Sequence, residues 1–169
     1  MNKYNIDELK NIVSSMLSEY RYKHSLNVAD LAKELAIAND VDPEKAYVAG
    51  LLHDITKELN DDWQNYCLYK NNDLDKIDIP EKIKHSYTSK YFIEDNLNIK
   101  DEEILDAVYN HTICNSDKIL SKILYIADKR EVGRKLDKTV IDLAKNDLES
   151  AYIQVTKEVE DFLKTKNNE

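Results

Sequence analysis

Apolar residues recur three and four positions apart along almost the whole chain, the spacing that places them on one face of an α-helix. This pattern predicts a first helix over residues 6–17, with Asn5 or Asp7 as its N-cap. It predicts a second helix from about Tyr22 to Asn39. The periodicity therefore indicates a chain of helices joined by polar segments.

A third helix is predicted to begin at Asp42, because aspartate is a favourable N-cap and Pro43 fits the first helical position. It is expected to continue through the segment AYVAGLLHDITK, residues 46–57. Residues 46–52 are apolar on most sides of this helix, so we predict that it is central and buried.

The rest of the chain alternates between helical patterns and polar breaks. A helix is predicted from Asp61 to Tyr69, followed by a polar loop from Asn71 to Asp78 and a new helix after Pro80. A later helix carries Ile119, Ile123 and Ile126 at compatible spacing and is expected to end near Gly133. The last helix is predicted over residues 137–163.

The composition agrees with a single helical domain. The chain has 169 residues, of which 42% are hydrophobic and 34% are charged, as in soluble globular domains. Gly and Pro occur only twice each, which disfavours a sheet protein with many tight turns. We therefore predict an all-α helical bundle, in which residues 1–19 form a helix that packs on the core and residues 166–169 form a frayed tail.

The net charge of −9 disfavours general nucleic-acid binding, which needs a basic surface. The first residues, MNKYNIDELKNIV, include acidic residues where a signal peptide needs an unbroken apolar run. No stretch approaches the roughly 20 apolar residues of a membrane span. Cys67 and Cys114 form no CxxC pair. We therefore expect a cytoplasmic protein with reduced cysteines and without nucleic-acid or membrane partners.

All four histidines of the chain join two aspartates in one pattern. Its members are His24, His53, Asp54, His85, His111 and Asp128. Each is predicted to stand on a helix, and only His53 and Asp54 are adjacent. Neutral imidazole and carboxylate are ligands of first-row metals such as iron, manganese and zinc. Six such residues are enough for two ions that share one carboxylate, so a hydrolytic metalloenzyme is the leading hypothesis.

The alternative for each histidine is an ordinary hydrogen-bonded position in the core. For His24 or His111 alone we would favour that alternative. Six such residues together would require several independent coincidences, and Asp54 and Asp128 would be costly to bury without partners. The sequence therefore favours a metal centre.

The same residues carry a resemblance to a known family. The segments Arg21-x-x-His24, LLHDITK at 51–57, His85, His111-Thr112 and ADKREVGR at 127–134 resemble the motifs of the HD-domain phosphohydrolases. Their spacing is most similar to that of the YqeK-type symmetrical bis(5′-nucleosyl)-tetraphosphatases, over residues 20–163. The resemblance implies an HD-type metal-dependent phosphohydrolase domain over residues 20–165.

The resemblance also implies a pair of metal ions, with iron as the metal and manganese or zinc as substitutes. One ion would be held by residues matching His24, His53, Asp54 and Asp128, and the other by those matching Asp54, His85 and His111. A hydroxide bridged between two such ions would attack a phosphorus of the substrate, and ADP would leave. Diadenosine tetraphosphate would thus be cut at its centre into two ADP. A homodimer is a further expectation from the resemblance.

Four residues are candidate substrate contacts. Lys57 follows Asp54 by three residues, so a continuous helix would place it one turn on, where it can neutralise a transferring phosphoryl group. We therefore predict catalytic roles for Asp54 and Lys57. Arg21 can act in the same way or orient a ligand. The resemblance implies a phosphate contact for Arg134, and Thr112 can hydrogen-bond to substrate or to a ligand. Ordinary surface pairing is the alternative for the three cations.

The segment ADKREVGR departs from the family's usual ADYIEPGR at Lys129, Arg130 and Val132. These differences concern the substrate rim and not the metal ligands, so they affect nucleotide preference more than hydrolysis. Two alternatives to the leading function stay open. One is another HD-domain nucleotide phosphohydrolase, such as a 5′-nucleotidase or a guanosine polyphosphate hydrolase. The other is a non-catalytic nucleotide-binding module that metals stabilise.

Overall fold

The computed structural model describes residues 3–167, and every regular element within them is a helix. The α-helices are α1 (Ile6–Met16), α2 (Glu19–Ala38), α3 (Pro43–Leu52), α4 (Asp61–Lys70), α5 (Glu81–Asn96), α6 (Glu102–Tyr109), α7 (Ile119–Arg130), α8 (Thr139–Asn146) and α9 (Leu148–Asn167). A short 3₁₀ helix, Leu74–Lys76, lies between α4 and α5. The all-α prediction is confirmed. Among the described residues, no helix combines the length and the apolar character that crossing a bilayer requires.

The helix starts follow the N-cap signals of the sequence. The Asn5 side chain accepts a hydrogen bond from the Glu8 N–H at the start of α1. Asp42 accepts from two N–H groups of the first turn of α3, where Pro43 also lies. Such bonds satisfy N–H groups that have no partner within the helix. The predicted starts of these two helices are therefore confirmed.

The middle of the chain also agrees with the prediction. α4 covers the predicted segment, α5 begins directly after Pro80, and the loop between them contains only the 3₁₀ turn. Elsewhere, α2 begins about three residues earlier than predicted, at Glu19, and α7 ends about three residues earlier, at Arg130. These differences do not change the order of the elements.

The third helix ends earlier than the sequence predicts. α3 stops at Leu52, and residues 53–59 form tight turns in which N–H groups bond to carbonyls three residues back. The Thr56 hydroxyl donates to the His85 carbonyl at 3.2 Å and lies 2.9 Å from Ser89 Oγ. These buried bonds tie the turns to α5, so tertiary contacts replace the bonds of a continuing helix. The predicted continuation of α3 through these residues is wrong.

The last predicted helix is in fact two helices. Asp147 interrupts it with a non-helical backbone, φ −148° and ψ 85°, between α8 and α9. Its carboxylate accepts hydrogen bonds from the N–H and the hydroxyl of Ser150 at 3.0 and 2.7 Å, and so caps the start of α9. α9 then continues to Asn167, so the expected frayed tail is helical at its beginning. Residues 168 and 169 lie outside the described residues.

The core lies where α2 and α3 pack together and against α6 and α7. Gly50 permits this approach, because a Cβ at this position would lie 2.6 Å from Cα and 2.8 Å from N of Ala29. Large buried side chains fill the surrounding space, among them Leu35, Leu51, Leu52, Ile104, Ile123 and Leu124. The central position predicted for α3 is confirmed. α1 packs on α2 and α3.

Asp101 joins the start of α6 to the N-terminal part of the chain. Its carboxylate accepts hydrogen bonds from two N–H groups of the first turn of α6. It also lies 3.1 Å from the Nζ atoms of Lys3 and Lys45. Burial acts to raise the pKa of Asp101, but hydrogen bonds from the two ammonium groups outweigh burial and lower it.

Replacing Asp101 by Ala is expected to lower the free energy of unfolding by about 1–2 kcal/mol near neutral pH, because it removes an N-cap and two ion pairs. Asp101→Asn keeps the cap and should lose less. The lowered pKa means that the contribution of the charge is complete above the ordinary value of 3.8 and is lost as the pH falls through the folded pKa. Urea unfolding of wild type and both variants, from neutral to acid pH, measures the free energy of unfolding. A gap between wild type and Asp101→Asn that did not shrink in acid would contradict it.

Candidate metal centre

The six residues of the predicted His/Asp pattern lie together, although His24 and Asp128 are 104 positions apart. We call this group the His/Asp cluster; its members are His24, His53, Asp54, His85, His111 and Asp128. Each of the six residues is at most 8% exposed. The ring centroids of His53 and His111 are 4.9 Å apart, and those of His85 and His111 are 5.0 Å apart. The predicted convergence is therefore observed.

The prediction that every member stands on a helix is wrong for His53, Asp54 and His111, which lie just beyond the ends of α3 and α6. The other three members are carried by α2, α5 and α7. Backbone carbonyls at the two helix ends fix the displaced imidazoles. His53 Nδ1 donates to the Gly50 carbonyl at 2.7 Å, and His111 Nδ1 donates to the Val108 carbonyl at 2.7 Å. Because a carbonyl can only accept, each ring in its neutral form presents the Nε2 lone pair to the cluster.

The Asp54 carboxylate lies between two groups of imidazoles. Its Oδ1 lies 3.1 Å from His85 Nε2 and 3.4 Å from His111 Nε2. Its Oδ2 lies 3.5 Å from His53 Nε2 and 3.8 Å from His24 Nε2. Each oxygen therefore faces its own pair of nitrogen donors, which is an arrangement that two cations can share.

Asp128 completes the group around Asp54 Oδ2. Its Oδ1 lies 3.1 Å from His24 Nε2 and 3.6 Å from His53 Nε2. Donor atoms of His24, His53 and Asp128 lie within 4.8 Å of one another, and the same holds for His53, Asp54 and His111. Both sets are compact enough to hold a metal ion.

The donor set fits metal ions chemically. His53 Nε2 is buried and has no hydrogen-bond partner, which is costly for a polar atom unless a cation accepts its lone pair. His85 Nε2 and His111 Nε2 lie only 3.0 Å apart, so a cation between them would satisfy both lone pairs. Imidazole nitrogen and carboxylate oxygen suit iron, manganese and zinc alike.

Burial and charge set the protonation of the cluster. Burial lowers the pKa of His111 to about 4 and also lowers that of His85, so both rings are neutral near pH 7. Burial acts to raise the pKa of Asp54 and Asp128, but cationic and imidazole neighbours hold both well below the usual range. The two carboxylates raise the pKa of His53 against the effect of its burial. The two ionised carboxylates and the neutral rings of His85 and His111 are therefore in the protonation states that metal ligation needs.

Arg21 and Lys57, two of the predicted substrate contacts, lie at the edge of the His/Asp cluster. Arg21 Nη1 donates to Asp54 Oδ2 at 3.0 Å. Lys57 is not one helical turn beyond Asp54, because α3 has already ended, but its Nζ lies 3.1 Å from His85 Nε2. Burial is the main reason that the pKa of Lys57 is lowered. Both cations are therefore next to the cluster, although the helical reason predicted for Lys57 is wrong.

Arg134 and Thr112 also lie at this edge. Arg134 Nε donates to the Asp128 carbonyl at 2.7 Å, and its Nη2 lies 3.4 Å from Asp128 Oδ1. Thr112 follows His111 directly, and its Oγ1 lies 3.0 Å from Ser86 Oγ. The structure therefore places Arg21, Lys57 and Arg134 in contact with members of the cluster, whereas the Thr112 side chain contacts Ser86.

Two further charged residues contact the His/Asp cluster, and the sequence alone assigned no role to them. Glu131 is buried and accepts hydrogen bonds from His24 Nδ1 at 3.3 Å and from Asn27 Nδ2 at 3.0 Å. It therefore turns His24 Nε2 towards the cluster, as outer partners of metal ligands do. Lys129 Nζ lies 2.7 Å from Asp128 Oδ2. Their only signal in the sequence is their place in the segment that follows Asp128.

Comparisons with known proteins agree with this fold and these motifs. The HD domain family model matches residues 21–133. Over 164 residues, the chain is 35% identical to a Mycoplasma genitalium protein named probable nicotinate-nucleotide adenylyltransferase/Ap4A hydrolase. The match covers 90% of this chain and 46% of that protein. The chain therefore spans about half the length of this relative.

Two other relatives match over most of their own length. A Bacillus subtilis protein named bis(5′-nucleosyl)-tetraphosphatase, symmetrical, is 30% identical over 167 residues, which cover 96% of this chain and 90% of that protein. The crystal structure of a predicted HD superfamily hydrolase involved in NAD metabolism from Clostridium acetobutylicum is similar with a TM-score of 0.87 at 29% identity. That likeness covers 97% of this chain and 89% of the other. All six members of the His/Asp cluster fall within the family match, and the chain belongs to the HD domain family.

Proposed function

We propose that this chain is a metal-dependent phosphoanhydride hydrolase that cuts diadenosine tetraphosphate at its centre and releases two ADP. The observation that carries the proposal is the position of Asp54, whose two oxygens face separate pairs of imidazole nitrogens. Phosphatases and nucleases use pairs of metal ions held close together in this way. The names of the relatives from Mycoplasma genitalium and Bacillus subtilis support the choice of substrate.

The proposed ligands form two sets that share one carboxylate. The first set is His24, His53, Asp54 and Asp128, and the second is Asp54, His85 and His111. Iron is the proposed metal, with manganese or zinc as substitutes. When bound, two such ions supply a nucleophile at neutral pH and stabilise the charge that develops on the phosphate oxygens. Glu131 supports the first set, because it holds the ring of His24 in the orientation that ligation needs.

The charges around the His/Asp cluster suit a polyphosphate. The cations at its edge are Arg21, Lys57, Lys129 and Arg134. The carboxylates that Arg21, Lys129 and Arg134 contact are those of Asp54 and Asp128. Because bound metal ions add further positive charge, a substrate with one negative charge on each of its four phosphates balances the site better than a nucleoside monophosphate does. The balance of charge therefore favours a tetraphosphate over a 5′-nucleotide.

The chain's own residues have separate proposed roles towards this substrate. Asp54 and Lys57 are the proposed catalytic residues, with Lys57 placed to neutralise the transferring phosphoryl group. Arg21 lies beside Asp54 and is proposed to contact the same group. Thr112 and Arg134 are proposed to bind the rest of the phosphate chain. A diphosphate leaving group carries its charge well, so the reaction does not need a strong general acid.

We propose that the functional unit extends from residue 20 to residue 165, beyond the family match. α8 packs on α2, which carries His24, and α9 packs on α7, which carries Asp128. The expected homodimer and the cytoplasmic location stay predictions. Light scattering of the purified protein measures its molar mass and so tests for a homodimer.

Metal analysis together with product analysis on a panel of nucleotides tests the proposal. We expect ADP as the only product from diadenosine tetraphosphate, bound iron in the purified protein, and loss of activity when a chelator removes the metal. Restored activity on adding iron or manganese would support the metal requirement.

Three other outcomes would each contradict the proposal. AMP together with ATP from diadenosine tetraphosphate would exclude the central cut. Hydrolysis of 5′-nucleotides or guanosine polyphosphates alone would favour another HD-domain phosphohydrolase. A metal-loaded protein that binds nucleotides and hydrolyses none would favour a binding module.

A further inference from the structure

Lys129 lies against the His/Asp cluster and has no contact assigned to it in the function proposed above. Its Nζ lies 2.7 Å from Asp128 Oδ2. Asp128 Oδ1 faces the other way, towards His24 Nε2 at 3.1 Å and His53 Nε2 at 3.6 Å. Lys129 therefore uses the carboxylate oxygen that the proposed first set of ligands does not need, so its position is compatible with a bound metal.

The Lys129 ammonium has hydrogen-bonding capacity left for an anion. An ammonium group has three N–H donors. Here they meet one close acceptor, Asp128 Oδ2, and one distant acceptor, the His111 carbonyl at 3.4 Å. The third neighbour is the face of the Tyr125 ring, whose centroid lies 4.6 Å from Nζ. An aromatic face attracts an ammonium group electrostatically, without a hydrogen bond. Because 19% of the side chain is exposed, a ligand can reach it from solvent.

The cations at the edge of the cluster form two pairs. Arg21 and Lys57 are the pair described above, next to Asp54 and His85. Lys129 and Arg134 form the other pair, and both contact Asp128, at 2.7 and 3.4 Å. A substrate that is cut at its centre has two equal diphosphate halves. One pair of cations for each half would suit the charge of such a substrate.

We propose that Lys129 is a phosphate-binding residue that, together with Arg134, holds one diphosphate half of a dinucleoside tetraphosphate. The inference rests on the function proposed above and deepens it by naming a residue that determines phosphate-chain preference. The motif that this segment resembles, ADYIEPGR, has Tyr at the position of Lys129, so the resemblance itself does not imply this contact.

Replacing Lys129 by Met is expected to raise KM for diadenosine tetraphosphate about tenfold, the factor that about 1.4 kcal/mol of lost binding produces, and to change kcat by less than about twofold. Binding of a methylene-bridged, non-hydrolysable analogue, measured by calorimetry, should weaken by the same factor. Metal content should stay at the wild-type level. Lys129→Arg keeps the positive charge and should recover most of the affinity.

Lys122→Met is the matched control. Lys122 lies on the same helix, pairs with Glu149 at 2.6 Å and lies over the Tyr152 ring at 5.2 Å, so its contacts resemble those of Lys129 but do not involve the cluster. It should change neither KM nor binding of the analogue.

A fall in metal content or in kcat at unchanged KM would overturn the inference, because it would make Lys129 a support for Asp128. If wild type hydrolyses diadenosine tetraphosphate and Lys129→Met binds the analogue equally well, this inference fails and the proposed function stands. If wild type neither binds the analogue nor hydrolyses the substrate, both fail.

Discussion

Replacing Asp54 by Asn is expected to lower kcat for diadenosine tetraphosphate by at least about a thousandfold, which corresponds to about 4 kcal/mol of activation free energy. The amide keeps the size of the side chain but has no negative charge, and its nitrogen offers no lone pair. Asp54 Oδ1 faces His85 and His111 while Oδ2 faces His53 and His24, so one substitution weakens both ligand sets. Steady-state kinetics and metal analysis of the same preparations measure the effect.

The control for this substitution is Asp30→Asn, because Asp30 is an exposed aspartate of α2 outside the His/Asp cluster. It should keep wild-type activity and metal content. Asp54→Asn also weakens the partner of Arg21, so thermal unfolding must show that the variant is folded. A folded Asp54→Asn protein that retained two metal ions and near-normal turnover would refute the shared-ligand role.

Replacing Gly50 by Ala is expected to lower the free energy of unfolding by about 2–3 kcal/mol, although alanine is the better helix former. The added Cβ would lie 2.6 Å from Cα and 2.8 Å from N of Ala29, and backbone atoms cannot rotate away. α2 and α3 would have to separate. His53 Nδ1 donates to the Gly50 carbonyl, so the same shift should also weaken metal binding. Urea unfolding and metal titration measure the two effects.

Gly133→Ala is the control for unfolding alone, because the nearest atoms to its added Cβ belong to the Glu131 side chain, at 3.0 Å, and not to the backbone. A smaller loss of stability is expected there. Combining Gly50→Ala with Ala29→Gly should not restore stability, since the crowded atoms belong to the backbone. A gain of about 1 kcal/mol in Gly50→Ala, as helix propensity alone predicts, would show that the two helices are not so close.

The two predictions concern the same region of the fold. The contact between α2 and α3 that Gly50 permits also brings His24 and His53 to the cluster. Buried polar side chains are costly unless each has a partner. In this core, Arg21 and Lys129 offset the charges of Asp54 and Asp128 at 3.0 and 2.7 Å. The fold therefore retains a charged cluster among its buried residues.

The sequence alone was sufficient for the helical class, for most of the helix starts and for the members of the His/Asp cluster. Helix starts at Asn5 and Asp42 could be predicted because an N-cap acts on N–H groups within three residues, and such signals are local. The cluster could be predicted because histidine is rare in this chain and because the six residues match a family motif in order. The roles of its members as metal ligands stay predictions.

Only the tertiary structure decided where α3 ends, where the last helix breaks and which oxygen of Asp54 faces which imidazoles. The turns after Leu52 are held by Thr56, whose hydroxyl bonds to the His85 carbonyl on a distant helix. Glu131 became part of the site through His24, which is 107 positions away in the chain. Local patterns do not record such contacts, because they form only when helices that are far apart in sequence pack at one particular angle and distance.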